Sequence, residues 1–394
     1  MKRNFLRFLI AKSFIRLSSL MFFIFFMWKI ITEYNSIFLV SLIPTFSLLG
    51  YLLVSIPEGY ILDKFNREKV MFISSAILFL SYLPLLFYFS LLLIYFLDLI
   101  SSIFSLISSD IFYTLVKNLV ESEYLAKAMS IETISTALSE ISGILIGGIS
   151  ASFSPSLFPD LLLVTSLVSI ILSFPSSEIR TNRKKNIVEL SYSHVFRIIR
   201  FILPALILSL SLNGVFIALY VFAAGLFYDV LHTGALAYTA FVLSFSLGLL
   251  LGGILGHRFS ARLLNAKYFS IIIFTFSIFF YLIAIADIPC LEPLYTLFLG
   301  IGSSLLNIPL ESLIIKLIPN KILGRTNSLI TIFITSSSPV MATIYGLLSN
   351  FLSIKTIFML LGTLILIISI PAYFIFKRLL LTTEDDIRRI IEKS

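Results

Sequence analysis

The chain has 394 residues, of which 58% are apolar and only 13% are charged. This composition excludes a soluble domain, because one soluble core could not bury so much apolar surface, and it indicates a polytopic membrane protein. The formal net charge of +8 does not require a nucleic-acid partner, since the basic residues stand between the apolar runs, where membrane topology explains them.

Apolar runs of about 20 residues recur along the chain and have the length that a helix needs to cross a bilayer. They lack the short alternating segments of a membrane β-barrel. The sequence therefore predicts an all-α integral membrane fold of twelve transmembrane helices, at residues 8–31, 37–62, 70–89, 91–116, 128–151, 157–175, 201–227, 235–256, 268–287, 292–317, 327–350 and 355–376.

Lysine and arginine are distributed unequally over alternate loops. One side of the predicted topology carries nearly all of the basic loop residues, and the other side carries only Lys29 and Lys355. Because cytoplasmic loops are enriched in these residues, we expect a multi-pass plasma membrane protein with both termini in the cytoplasm. Two cytoplasmic termini require an even number of spans, which agrees with twelve.

The longest interior hydrophilic stretch divides the chain into two halves of six helices. We predict an N-terminal bundle (1–175), a cytoplasmic linker (176–200), a C-terminal bundle (201–376) and a cytoplasmic tail (377–394). A Gly-x3-Asp-Lys-Phe pattern that starts at Gly59 returns as Gly-x3-His-Arg-Phe from Gly253, between the second and third spans of each half. The two halves therefore look like a duplication.

A dense charged cluster from Glu58 to Lys69 separates the second and third predicted helices. Its pattern, Gly-x3-Asp-Lys-x-Asn-Arg-x-Lys, resembles the signature loop of the major facilitator superfamily of secondary transporters. Together with the two six-helix halves, the resemblance extends over essentially the whole chain and implies the pseudo-symmetric fold of that family. The family has glycine where this chain has Asn66. Asparagine tolerates left-handed backbone, so we expect the turn to be kept.

In the family this loop holds the cytoplasmic side closed when the transporter opens outward. The resemblance implies a gating motif that begins at Gly59, with Asp63 in contact with the start of the eleventh span near Arg325. It also implies that Lys64 and Arg67 pair with neighbouring acids. A carboxylate is stabilised at a helix N-terminus by the helix dipole, so the first contact is physically reasonable. An ordinary basic cytoplasmic loop is the alternative.

Small residues recur in the fifth span, where antiporters of the family carry a glycine pattern that includes a proline. Gly143 and Gly147 keep the pattern, but Ile144 replaces the proline, so we infer close helix packing rather than the kink of exporters. The eighth span has a similar stripe. We expect the two stripes to meet between the halves, with Gly143 and Gly147 against Gly248 and Gly252.

The overall style is similar to the twelve-span drug and multidrug efflux branch of the family. One position departs from it, since the nearest register puts Asp98 where drug antiporters commonly place an arginine. The usual proton-coupling scheme of those antiporters is therefore not indicated.

In the family fold the first, fourth, seventh and tenth helices line a central cavity, and helical spacing gives each of them a polar stripe here. Ionisable groups at membrane depth are costly and usually face water or a partner, and the fifth span adds one more of them. The candidate proton or substrate sites are Arg16, Asp98, Glu140, Asn213, Asn307 and Glu311.

Alternatives remain open for the charged candidates. Glu140 can carry a proton, or it can bond a serine or a backbone group across a helix interface. Glu132 and Glu311 lie nearer the cytoplasmic surface, where pairing with a nearby lysine is the expected use. Lys12 and Arg16 can bind an anionic substrate, or they can snorkel to the inner interface.

We expect a secondary transporter that alternates access between its halves and exports small amphipathic molecules, with proton exchange through Glu140 or Asp98. An importer or uniporter of a small metabolite is the alternative with the same fold. A membrane-embedded enzyme is the alternative of another class, but it needs a cluster of acids, histidines or a loop nucleophile that the sequence does not offer. With one cysteine and three histidines, we expect no metal centre. We also expect no cofactor, no nucleic-acid partner and a monomer in the bilayer.

Overall fold

The computed structural model describes residues 3–120, 124–175, 192–318, 329–330, 333–334 and 336–382. Within these ranges the side chains are described except at residues 3, 55–64, 114, 117–118, 125–127, 192–196, 257–262, 311–312 and 315–317. All regular structure in the described ranges is helical.

The first compact unit contains six helices, together with the short segment His232–Thr239. The helices are α1 (Arg3–Tyr34), α2 (Ile37–Lys64), α3 (Arg67–Tyr82), α4 (Leu91–Leu119), α5 (Leu125–Phe153) and α6 (Phe158–Ser173). Short 3₁₀ turns with a proline in their first turn precede α4 and α6, at Leu83–Leu86 and Pro155–Leu157.

The second compact unit contains the remaining helices, with α8 belonging to it from Ala240 onward. These helices are α7 (Tyr192–Gly225), α8 (Ala235–Leu263), α9 (Ala266–Ile285), α10 (Glu292–Leu317), α11 (Ser337–Leu348) and α12 (Ile354–Leu381). A π-helical turn at Leu226–Val230 follows α7 directly.

Eleven of the described helices are long enough and apolar enough to cross a bilayer. Helix α11 is shorter, with 12 residues. It lies within the predicted span 327–350, which also includes residues outside the described ranges. The all-α membrane architecture predicted from the hydropathy pattern is confirmed.

The loop between α2 and α3 is short because Asn66 caps the next helix. Its side-chain oxygen accepts hydrogen bonds from the backbone N–H groups of Glu68 (3.0 Å) and Lys69 (3.4 Å), and its φ is −69°. This is extended backbone, so the expectation of a left-handed asparagine is wrong. Asn66 keeps the turn by a different route, since an asparagine at the N-cap satisfies donors that the first turn of a helix leaves open.

Helix α1 is the centre of the first unit and contacts α2, α4, α5 and α6. Near its N-terminus the rings of Phe5 and Phe8 are fully buried against Phe112 and Leu115 of α4 and Met71 of α3. A central helix with neighbours on several sides has little surface left for lipid, which agrees with the buried aromatic residues along its whole length.

The glycines of α5 lie directly against the backbone of α1. A Cβ atom at Gly143 would stand 2.8 Å from the carbonyl oxygen of Leu17, and one at Gly147 would stand 2.8 Å from that of Met21. Only glycine lets the two helices come this close. Helix α1 therefore fills the glycine face of α5 within the first unit.

Helix α8 packs on α10 in the same manner within the second unit. A Cβ atom at Gly248 would overlap the carbonyl oxygen of Leu297, and one at Gly252 would stand 2.5 Å from that of Ile301. The expectation paired this stripe with that of α5, whereas the residues in contact with Gly248 and Gly252 belong to α10. Each stripe is already covered by a helix of its own unit.

A matching crossing in the first unit supports the inferred duplication. A Cβ atom at Gly50 of α2 would stand 2.8 Å from the carbonyl oxygen of Leu99 of α4. Gly50 and Gly248 differ by 248 − 50 = 198 positions, and Leu99 and Leu297 differ by 297 − 99 = 198. The second and fourth helices of each half thus cross at equivalent glycine and carbonyl positions.

We expect Gly248→Ala to destabilise the protein, because a methyl group at this position has no room against the backbone of α10. Overpacking of this kind costs about 1–3 kcal/mol. Gly253→Ala is the matched control, since its methyl group would lie 3.7 Å from Ser304 Oγ and alanine is the better helix former. Thermal unfolding in detergent compares the two variants. Equal melting temperatures would contradict the close crossing of α8 and α10.

Candidate functional site

The main polar contact between helices of the first unit runs along α1 and α5. The contacts advance in the same direction on both helices, so α1 and α5 are parallel. We call this set of contacts the α1–α5 row, and it comprises Lys12 with Glu132, Ser13 with Ser135, and Arg16 with Glu140.

The first pair of the row, Lys12 with Glu132, is almost completely buried, with 6% and 3% of the side chains exposed. Glu132 also accepts hydrogen bonds from the hydroxyls of Thr136 (2.9 Å) and Tyr113 (3.3 Å). The ring centre of Tyr113 lies 4.9 Å from the ammonium group, which adds a cation–π contact. Lys12 therefore does not snorkel to the interface, and Glu132 pairs with a lysine of α1 rather than with one near the surface.

The second pair, Arg16 with Glu140, is less buried, because 33% and 30% of the side chains are exposed. Two guanidinium nitrogens donate to the same carboxylate oxygen, Nη2 at 2.7 Å and Nε at 3.1 Å. The third nitrogen, Nη1, donates to the hydroxyl of Tyr51 on α2 at 3.4 Å. Glu140 thus has an arginine as its partner, not a serine or a backbone group, and the snorkelling expectation for Arg16 is also wrong.

Asp98 and the polar stripe of α4 are buried rather than exposed to a cavity. Only 3% of Asp98 is exposed, and its Oδ2 accepts a hydrogen bond of 2.6 Å from the hydroxyl of Ser47 on α2. Ser102 and Ser105 of the same stripe are also buried. The stripe differs from the expectation because α2 crosses α4 closely at Gly50 and covers this face.

The predicted stripes of α7 and α10 come together in the second unit. Asn213 and Asn307 are both exposed and line one small cavity of about 30 Å³, with Ser209 and Ser303 beside them. Phe216 forms an apolar wall of this cavity and belongs to an aromatic cluster with Phe245, Phe276 and Phe280. The cavity therefore offers uncharged amide and hydroxyl groups next to aromatic surface.

The predicted gating motif lies mostly outside the described residues. The backbone of α2 includes Gly59, Asp63 and Lys64, but their side-chain surroundings are not described, and Arg325 lies in an undescribed range. The side chain of Glu311 is outside the described residues as well. Arg67 is described and stands partly buried at the first position of α3.

Three polar residues of the site region were not among the sequence candidates: Ser47, Tyr51 and Glu292. Ser47 and Tyr51 stand four residues apart on α2, so helical spacing could have indicated that they share a face. Glu292 opens α10 and is fully buried, and neither of its carboxylate oxygens has a hydrogen-bond partner in the described part of the chain. Its position at the predicted edge of a span concealed this burial.

Metal binding finds no support among the described residues. Within them, no group of three or more histidine, cysteine, aspartate and glutamate side chains could hold an ion. The chemistry that the site offers comes from ion pairs, hydroxyls and amides, which can bind, release and exchange protons and polar groups.

The sequence profile of the Major Facilitator Superfamily matches residues 8–284, which is most of the chain. The chain belongs to the major facilitator superfamily. Membership makes it a membrane transporter of small molecules rather than an enzyme. No curated protein matches the chain in sequence.

Solved structures of transporters share the fold of this superfamily member at low sequence identity. A bacterial homologue of the human lysosomal transporter Spinster is 13% identical, with a TM-score of 0.72 over 97% of this chain and 98% of its own. A mutant of the nucleoside transporter NupG is 13% identical, with a TM-score of 0.73 over 96% and 100%. A POT family transporter is also 13% identical, with a TM-score of 0.74 over 96% and 97%.

We expect Lys12→Met to destabilise the transporter strongly, because it leaves the Glu132 carboxylate buried without a counter-charge. Removing one partner of a buried ion pair costs about 3–5 kcal/mol. Adding Glu132→Met should restore much of the loss, since the double variant buries no charge. Thermal unfolding in detergent measures both variants.

Lys29→Met is the control for this comparison, because Lys29 pairs with Glu33 at a more exposed place on the same helix. An exposed pair contributes about 0–1 kcal/mol, so its melting temperature should change little. A Lys12 variant that is as stable as the Lys29 variant would show that the buried pair does not hold α1 to α5.

Proposed function

We propose that this transporter works by alternating access and exports small amphipathic molecules in exchange for protons, with the Arg16–Glu140 pair as the coupling site. The observation that carries the proposal is the partial exposure of this pair at membrane depth, with 33% and 30% of the side chains exposed. Ionisable groups inside a membrane protein are costly, and those that reach water commonly serve ion or substrate pathways. Lys12 and Glu132, a few residues away, have the same chemistry but no such exposure.

Protonation of Glu140 changes the charge of the site. With Glu140 ionised, its carboxylate balances the guanidinium of Arg16 and the pair is neutral. A proton on Glu140 removes that balance and leaves the charge of Arg16 facing the solvent. Since both guanidinium hydrogen bonds end on one oxygen of Glu140, the other oxygen takes no hydrogen bond from Arg16 and is the natural place for the proton.

This change of charge favours exchange for one class of substrate. A cationic amphipathic molecule is tolerated beside the neutral pair and repelled by the unbalanced Arg16, so proton entry and substrate release go together. An anionic substrate would behave in the opposite way and bind Arg16 when Glu140 is protonated. That is the basis of the second candidate function, import of a small anionic metabolite together with a proton. A uniporter would show no dependence on protons.

The remaining candidate residues have supporting roles in this proposal. Asp98 is the other candidate for proton coupling, but its burial against Ser47 favours Glu140. In the second unit, Asn213 and Asn307 supply neutral hydrogen-bonding groups for the polar part of a substrate. Glu311 remains a further candidate at the inner end of α10.

The topology and the gate complete the proposal. The transporter is a monomer in the plasma membrane. Both of its termini are in the cytoplasm, as the distribution of basic residues over the loops favours. Its cytoplasmic side is closed by the gating motif, which comprises Gly59, Asp63, Lys64, Arg67 and Arg325.

Proton coupling through Glu140 is tested in proteoliposomes that contain a pH-sensitive dye, with ethidium as a cationic amphipathic probe. We expect ethidium to drive proton movement in the wild type and to drive none above background in Glu140→Gln. Ethidium counterflow should persist in this variant, because a neutral glutamine still accepts hydrogen bonds from Arg16 while it carries no proton.

Asp98→Asn is the control, and it should keep the proton movement that ethidium drives. Loss of coupling in Asp98→Asn with coupling intact in Glu140→Gln would move the role to Asp98. Ethidium transport by the wild type without any proton movement would favour the uniporter.

The topology is tested with a membrane-impermeant maleimide on intact cells. We expect labelling of the native Cys290, which is exposed between α9 and α10, from outside. In a Cys290→Ser background, Phe65→Cys probes the exposed loop between α2 and α3 and should react only after the cells are permeabilised. Labelling of Phe65→Cys in intact cells would reverse the orientation.

A further inference from the structure

A groove opens between the first turns of α7 and the last turns of α12 in the second unit. It consists of two adjoining hollows of about 210 and 440 Å³, and Phe201, Phe374 and Arg378 line both of them. The groove does not belong to the site described above, which lies on other helices or on other turns of α7.

Two compact residues of α7 leave space in the groove. Pro204 lies inside the helix and is followed by Ala205, and both line the hollow that also contains Phe374. A proline within a helix also removes one backbone hydrogen bond and bends the helix. The space beside Phe374 therefore depends on the course of α7 at Pro204 as well as on the side chains that line the hollow.

The outer face of α12 marks the depth of the groove in the membrane. Apolar side chains are exposed along one side of this helix as far as Phe374, which is 64% exposed, and again at its last residue, Leu381; the others are Leu360, Leu364, Ile367 and Ile370. A continuous exposed apolar face on a spanning helix is a lipid-facing surface. Lys377 and Arg378, which are both exposed, stand about one turn further toward the C-terminus. The groove thus lies where the hydrocarbon core gives way to the headgroup layer.

Positive charge is concentrated at the polar end of the groove. The guanidinium carbon of Arg378 lies 4.9 Å from the ring centre of Phe201, and the ammonium of Lys377 lies 5.9 Å from that of Tyr373. These cation–π contacts hold both groups beside the hollow. None of the described lining residues is acidic, and Arg200 adds a further exposed cation one residue before Phe201.

We propose that this groove is a binding site for one anionic phospholipid of the leaflet that faces the inner ends of α7 and α12. The phosphate group is bound by Arg378 and Lys377, and an acyl chain lies against Phe201, Pro204 and Phe374. The basis is the combination of an apolar hollow, a cationic end and a position at the interface, which matches a phospholipid in both shape and charge. Basic pockets between membrane helices bind anionic headgroups by these interactions.

The test is a lipid titration of the purified full-length transporter in detergent, read by native mass spectrometry. Phosphatidylglycerol and phosphatidylcholine with the same acyl chains are compared. We expect one phosphatidylglycerol to bind to the wild type in preference to phosphatidylcholine. Each cation removed should weaken its binding about fivefold, and the double variant Lys377→Gln/Arg378→Gln about 25-fold. Arg378→Lys keeps the charge and should lose less than Arg378→Gln.

Lys267→Gln is the matched control, because Lys267 is an exposed cation near the start of α9, on the same side of the membrane as the groove, but does not line it. It should bind phosphatidylglycerol as the wild type does. If Lys267→Gln weakened phosphatidylglycerol binding as much as Arg378→Gln does, general surface charge would explain the binding, and the proposed site would be overturned. Equal binding by the wild type and the double variant would overturn it too.

The chain also offers an internal competitor, since Glu384, Asp385 and Asp386 follow α12 in the sequence. If the acidic tail occupied the groove, the wild type would bind no phosphatidylglycerol and Glu384→Gln/Asp385→Asn/Asp386→Asn would bind it. That result would overturn the proposal for the native transporter. If the wild type were a dimer that dissociates in Arg378→Gln, the proposal would be overturned as well, because a second copy of the chain would then occupy the groove.

Discussion

The attraction between opposite charges in a medium of low dielectric holds α1 to α5, and the organisation of the first unit depends on it. Lys12 and Glu132 stabilise this contact only as a pair, because either charge alone would be costly at this depth. One turn further on, Arg16 and Glu140 make the same kind of contact with about a third of each side chain exposed. A single helix pair thus carries one fully buried ion pair and one partly exposed ion pair.

The two units share their packing but not their chemistry. In each unit the second helix crosses the fourth at an equivalent glycine, Gly50 or Gly248, so the backbone geometry is repeated. The polar groups are different, since ion pairs connect α1 to α5 inside the first unit, while in the second unit the pair of Lys355 with Asp287 is more exposed and lies at helix ends, and amides, hydroxyls and aromatic rings line the cavity. The backbone frame of the fold is thus repeated in both units, whereas the polar side chains that each frame carries are not.

Hydropathy was enough to predict the spanning helices, because each of them is encoded locally by its own run of apolar residues. Helical spacing also placed Asn213 and Asn307 on faces that line one cavity. The same spacing failed for Asp98, since it shows that a helix has a polar face but not which neighbour covers it. The partners of Lys12 and Arg16 were beyond prediction, because they lie 120 and 124 residues away along the chain.

That separation along the chain affects how the protein is made. The first helix leaves the ribosome with Lys12 and Arg16 well before their partners on the fifth helix have been translated. Placing one such cation at the centre of a bilayer costs about 2.5–3.5 kcal/mol during insertion. Until α5 has been inserted, α1 therefore enters the membrane with an unpaired charge, which the insertion machinery or the headgroup layer must accommodate. The chain must thus be translated at least through α5 before α1 can form the ion pairs that stabilise it in the membrane.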